Sequence, residues 1–239
     1  MPNPYRYMRI CAWSGPLLLV ILIIFWGILG RNIPPYSAAL SAEEIAGHFR
    51  EHTFSMRLGM IVTMFGGVLY TVWGMAITKV MEEVEEDNDI LSRLQLLGAA
   101  FTTIILVIPP SLWLSAAFRP DTDPEIVRML YDAGWILFDL AYSLTSMQFV
   151  AFGVCFLNDR REVPLLPKWV SWIVIWVGLM FVILASMPFF HDGPFSRSGW
   201  VNYWIEFTIF FDAMLIMCIF ILRAISRLER EILEERIDG

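Results

Sequence analysis

Long apolar runs separated by short polar intervals dominate the chain. Six runs are long enough to cross a bilayer, at about 11–30, 56–80, 92–118, 126–157, 169–190 and 201–223, since roughly 30 Å of hydrocarbon takes about 20 apolar residues in a helix. They read as helices, because a segment in lipid must satisfy its backbone hydrogen bonds internally and the alternating pattern of a barrel is absent. The expectation is an all-α polytopic membrane bundle of six transmembrane helices, one integral-membrane domain over residues 1–239.

The polar intervals add detail. Between spans one and two, "SAEEIAGHFREH" opens on a capping box, Ser41 with Glu44 three residues on. It sets Ala42, Ile45, Phe49 and His52 on one side and Glu43, Glu44, Arg50 and Glu51 toward the other, which predicts a short helix at the outer membrane surface. After span six, Ile225, Leu228 and Ile232 share a side, so the last helix is expected to continue into the cytoplasm. Span two carries small residues every fourth position, Ser55, Gly59, Thr63, Gly67 and Thr71, the pattern that lets a neighbouring helix approach closely. Pro109 and Pro110 predict a kink in span three. The two halves of the chain show no repeat, so an inverted-repeat transporter is not indicated.

Charge changes the picture mainly by fixing orientation. With the N-terminus inside, the inner segments hold eleven cations: Arg6, Arg9, Lys79, Arg93, Arg160, Arg161, Lys168, Arg223, Arg227, Arg230 and Arg236. The outer segments hold six: Arg31, Arg50, Arg57, Arg119, Arg128 and Arg197. Both termini are therefore expected in the cytoplasm, although the acidic loop "EEVEEDND" at 82–89 dilutes the local bias. Span one is expected to be a retained helix rather than a cleaved signal, because its apolar run is long and Trp13 and Trp26 bracket it. The net charge of −7 belongs to aqueous loops, so nucleic acid is not expected as a partner. The bilayer is, with another membrane protein or a second copy as further possibilities. Cys11, Cys155 and Cys218 suggest small core residues rather than a disulfide framework.

Candidate chemistry lies in acids within the spans, each of which costs roughly 2.5–3.5 kcal/mol at a helix centre unless it finds a partner, a proton or water. Asp132 and Asp139 are seven apart and share a face of span four, which Ser143 and Ser146 continue inward. In span six, Asn202 and Glu206 share one face, and Thr208 with Asp212 another about 120° round. Asp132, Asp139 and Glu206 should lie in the outer half and Asp212 near the middle. Arg57 and Arg119, at the outer ends of spans two and three, are expected to approach the same layer. The picture is an outward-facing acidic pocket in which a guanidinium offsets some carboxylates and others stay protonated, because burial disfavours the charged form.

"HFREH", His48 to His52, spells the H-x-x-E-H of inverted zinc proteases, with His48 and His52 one helical turn apart and Glu51 as a candidate base. Against that, His52 falls on the apolar side of a surface helix and no soluble catalytic domain follows. His191, the one remaining histidine, also falls on the outer side. His48, His52 and His191 thus form the candidate metal set; otherwise no cofactor is expected. No P-loop, dinucleotide fingerprint, nucleophile elbow, intraspan histidine pair or mid-span lysine is present, which removes ATPases, b-type cytochromes and retinal proteins.

At "FRPDTDPEIVRMLYDAGWILFD", "LPKWVSW" and "GPFSRSGW" the chain resembles a group of uncharacterised six-span bacterial inner-membrane proteins. The resemblance runs over most of the chain and implies a bacterial cytoplasmic membrane, with no activity or site attached. Three functions follow as expectations. The first is binding or carriage of a small cationic or polar solute, or of protons, by Asp139 and Glu206 with Asp212 as a deeper relay. The second is an accessory or scaffold subunit of a membrane complex. The third is a metal-dependent membrane hydrolase at the outer leaflet.

Overall fold

The computed structural model of the chain describes residues 5–85 and 88–238, with side chains up to residue 234. Glu86 and Asp87 of the acidic loop, and the side chain of Arg236, fall outside the described residues. Nine α-helices are described: α1 (Arg6–Ile21), α2 (Ala42–Glu51), α3 (Thr53–Glu82), α4 (Ile90–Ile105), α5 (Ile108–Phe118), α6 (Pro124–Leu140), α7 (Tyr142–Leu157), α8 (Lys168–Met180) and α9 (Glu206–Asp238). No strand is present among the described residues. Among the described residues, six helical stretches are long and apolar enough to cross a membrane: Arg6–Leu29, Thr53–Glu82, Ile90–Phe118, Pro124–Leu157, Lys168–Phe189 and Trp200–Glu234.

Only span two is a single uninterrupted α-helix. Span one widens into a π-helix at Leu22–Leu29, span five tightens into a 3₁₀ stretch at Phe181–Phe189, and span six starts with a π turn at Trp200–Ile205. Span three breaks at Leu106 and Val107, and Pro109 and Pro110 occupy the first turn of α5, where missing N–H groups have no helical partner to lose. Span four breaks at Ala141, between α6 and α7, with no proline or glycine at the break.

Each span packs against the next in sequence, and the sixth returns to the first, closing a ring: α1 on α3, α3 on α4 and α5, these on α7 and α6, α7 on α8, α8 on α9, and α9 on α1. Span two also touches spans four and six. Its stripe of small residues makes that possible. Gly59 lies against the backbone of Phe25 and Gly30, Thr63 donates to the Gly59 carbonyl at 2.7 Å, and Thr71 and Thr103 share a hydrogen bond of 2.7 Å. The stripe is thus used inside this chain.

The start of α1 and the end of α9 lie together at one end of the bundle, called proximal; α2 lies at the other, distal, end. At the proximal end Arg9 of α1 forms an ion pair with Glu229 of α9 and donates to the Ser226 hydroxyl at 3.1 Å. The extension of α9 beyond the apolar run docks on its own chain, with Ile225 and Leu228 buried and Ile232 packed against the core. Glu85 of the acidic loop accepts from the Leu91 and Ser92 amides, both at 2.9 Å, and so caps α4. At the distal end the capping box of α2 is formed: Glu44 N–H donates to the Ser41 hydroxyl at 3.3 Å while Ser41 N–H donates to the Glu44 carboxylate at 2.8 Å. The apolar side of α2 faces protein rather than lipid, since Ile45, Ala46 and Phe49 are buried and Phe49 meets the Tyr131 ring edge-on at 5.5 Å.

Candidate functional site

The acids of spans four and six meet in the distal half of the bundle. Asp139 sits in the last turn of α6, one residue short of the break at Ala141, and is 5% exposed. Glu206 opens α9, immediately after the π turn, and is 2% exposed. One turn earlier, Asn202 directs its amide nitrogen at Asp139 Oδ2, at 3.5 Å. These three, with Tyr142, Tyr203, Phe181, Phe207, Leu184 and Arg197, surround an enclosed cavity of about 10 Å³. Asn202 Oδ1 and both Glu206 oxygens are buried without a hydrogen-bond partner. Unpaired acceptors in a low-dielectric interior carry a full desolvation cost, so a donor or a cation is what this cluster lacks.

Aromatic rings pack around the site. Trp26 stacks between Phe138 at 5.3 Å and Phe207 at 5.0 Å, Tyr203 stacks on Phe207 at 4.7 Å, and Tyr142 on Phe181 at 4.9 Å. On its other side Asp139 reaches a second, more open groove of about 320 Å³ between α6–α7 and the 3₁₀ end of span five. Ser143 and Ser146 line that groove, continuing the acid's face as their spacing predicts.

The cation of the site is Arg197, in the turn before span six, which sequence reasoning counted only as a loop charge. It is 3% exposed. Its Nε donates to the Tyr36 carbonyl at 2.8 Å, a terminal nitrogen pairs with Asp132 at 2.5 Å, and the guanidinium lies 4.6 Å from the Tyr131 ring centroid. Asp132 is therefore anchored at the rim through Arg197, one layer above Asp139.

Three expected members stand elsewhere. Arg57 donates to the Ala117 and Phe118 carbonyls at 2.9 and 3.1 Å, where the negative end of α5 attracts a guanidinium. Arg119 is exposed at the C-cap of α5. Asp212 is exposed on the outer surface of the bundle, beside Trp204 and Thr208 in a groove of about 280 Å³, because six residues beyond Glu206 turn the helix about 120° away.

The histidines are dispersed among different partners. His48 stacks on Tyr36 at 4.2 Å with planes 5° apart, His52 Nδ1 lies 3.5 Å from the Arg31 guanidinium, and His191 is exposed after the 3₁₀ end of span five. Burial pushes the Tyr36 hydroxyl beside His48 up to about 12, so it stays neutral. Among the described residues no three His, Cys, Asp or Glu groups converge to hold a metal ion. A further polar layer is built without acids, from residue types that an apolar helix carries at little cost: Tyr70 donates to Gln148 at 2.9 Å, Thr78 to Gln95 at 2.7 Å, and Thr102 and Thr145 share a bond of 2.9 Å, all buried between spans two, three and four.

No family model, no curated protein and no solved structure matches the chain.

Proposed function

We propose that this integral membrane protein binds a proton, or a small monovalent cation, at Asp139 and Glu206 and carries it through the distal half of the bundle. One observation carries the reading: a cavity of about 10 Å³ bordered by two buried carboxyl groups and by three acceptor oxygens that have no donor. A water needs roughly 10–15 Å³ of such space. A sugar or an amino acid is excluded by size, whereas a proton, or an ion stripped of its water, meets the acceptors directly. Two carboxyl groups with no cation in contact but the rim arginine are held most cheaply by a shared positive charge or by protonation. The bias of lysine and arginine, eleven to six, supports cytoplasmic termini.

The test is reconstitution of the full chain into vesicles holding a pH-sensitive dye, with an imposed potential to drive uptake. Wild type is expected to acidify the lumen faster than protein-free vesicles, with sodium competing if the site is shared. Asp139→Asn and Glu206→Gln should each slow the flux at least tenfold while inserting normally. Absence of flux in wild type under both ions, or full flux in both variants, removes the proposal.

A second reading, a subunit of a membrane complex, is supported by Asp212. A carboxyl exposed on the outer surface of the bundle near mid-span has no donor from its own chain among the described interactions, and a partner helix carrying a hydroxyl, amide or cation would supply one. Gentle extraction should then recover a larger assembly that Asp212→Leu dissociates; a chain that elutes alone in both forms counts against it.

A further inference from the structure

A different feature, at the proximal end, carries a binding site independent of the acidic cluster. A groove of about 790 Å³ runs between the 163–167 turn, the first turn of α8 and the stretch of α9 from Phe220 to Arg230. Four cations line it, Lys168, Arg223, Arg227 and Arg230, and no carboxylate does. Arg227 is already committed, its Nε at 2.7 Å from Glu231 and a terminal nitrogen donating to the Pro164 carbonyl at 3.0 Å. The other three have no ion-pair partner among the described residues.

Two features make this more than a basic patch. Lys168 is the first residue of α8, whose first turn carries no acid and whose N-cap, Pro167, offers no side-chain bond. A cation at the positive end of a helix is unfavourable by itself, and both become favourable with an anion between them. The second feature is the apolar floor. Arg223 lies 5.2 Å from the Phe220 ring, whose edge contact with Trp169 is 5.4 Å, and Trp169 and Trp172 are exposed beside it. Exposed tryptophans at a span end mark the headgroup level of a bilayer. The groove therefore offers cations toward water and apolar surface toward lipid within one cavity. A free phosphate ion would satisfy only the first half.

We propose that this groove holds the phosphate headgroup of an anionic phospholipid, with Lys168, Arg223 and Arg230 as its ligands and the acyl chain lying along Phe220 and Trp169.

Native mass spectrometry of the purified full chain, titrated with phosphatidylglycerol and separately with phosphatidylcholine of the same acyl chains, provides the test. At least tenfold tighter retention of phosphatidylglycerol is expected. Lys168→Ala combined with Arg223→Ala should erase that preference, and Arg50→Ala at the distal end should leave it intact. Equal retention of the two lipids by wild type overturns the proposal without recourse to any variant. So does displacement of phosphatidylglycerol by millimolar inorganic phosphate, which would make the ligand a soluble anion.

Discussion

Arg197 joins three elements through one side chain: the Tyr36 carbonyl, the Asp132 carboxylate and the Tyr131 ring. Arg197→Ala leaves the carbonyl and carboxylate without their donor and should cost about 2 kcal/mol, seen as a lower melting temperature in detergent. Arg197→Lys should recover only part, because an ammonium cannot reproduce the planar fork over the ring. The intraspan acids were legible in sequence because a charge inside an apolar run needs an explanation. Arg197 was not, since a cation in a Gly- and Ser-rich turn looks like any loop charge until the turn folds over the bundle. Arg57 misled for the opposite reason: it stands at the expected depth, but the free carbonyls of α5 are nearer.

Glu44 offers a pH test at the same scale. The Ser41 hydroxyl and amide donate to its carboxylate and hold it below the ordinary value of 4.5. A depressed folded value means that the stabilisation is fully present above 4.5 and is lost as pH falls through the lower folded value. Hydrogen exchange of the α2 amides should therefore accelerate as pH falls below 4.5 relative to the spans, more than amide chemistry alone predicts. Ser41→Ala should weaken that pH dependence, leaving the part that the Ser41 amide supplies.

At the scale of elements, close approach decides what a glycine tolerates. A methyl on Gly98 of α4 would lie 2.7 Å from Gln148 Cβ and 2.9 Å from its backbone nitrogen, so Gly98→Ala should destabilise by about 1–3 kcal/mol through overpacking. At Gly47 in α2 the nearest atom is 4.0 Å away, so Gly47→Ala should stabilise by about 0.5–1 kcal/mol through helix propensity. Thermal melts of the two variants should move in opposite directions. The break in span three was readable because proline leaves a covalent mark. The break at Ala141 was not, since its residues are good helix formers and only the packing of α6 on α5 and of α7 on α4 separates the two directions. The π and 3₁₀ segments were hidden likewise, because all three helix types share the same apolar requirement in lipid. The face of α2 was correctly phased, yet periodicity cannot say whether protein or lipid covers an apolar side.

For the whole molecule, the apolar runs determined span number and class almost completely, because a bilayer permits few alternatives. Reporter fusions at the two ends should both report the same compartment, as an even number of spans requires, and the topology proposed from the cation bias expects that compartment to be the cytoplasm. Removing Lys79 and Arg93, which flank the 83–89 loop, should weaken that preference; unchanged topology in such a variant would point to the basic proximal groove as the stronger determinant.

The ion pair of Arg9 with Glu229 joins residues 220 apart in sequence. Helices enter a membrane in the order of their synthesis, so the earliest made must wait, with that guanidinium and one flank of its helix uncovered, until the latest arrives. Assembly thus has an obligatory last step, and any chaperone, protease or neighbouring protein that surveys unfinished chains has the exposed seam between first and last helices to read.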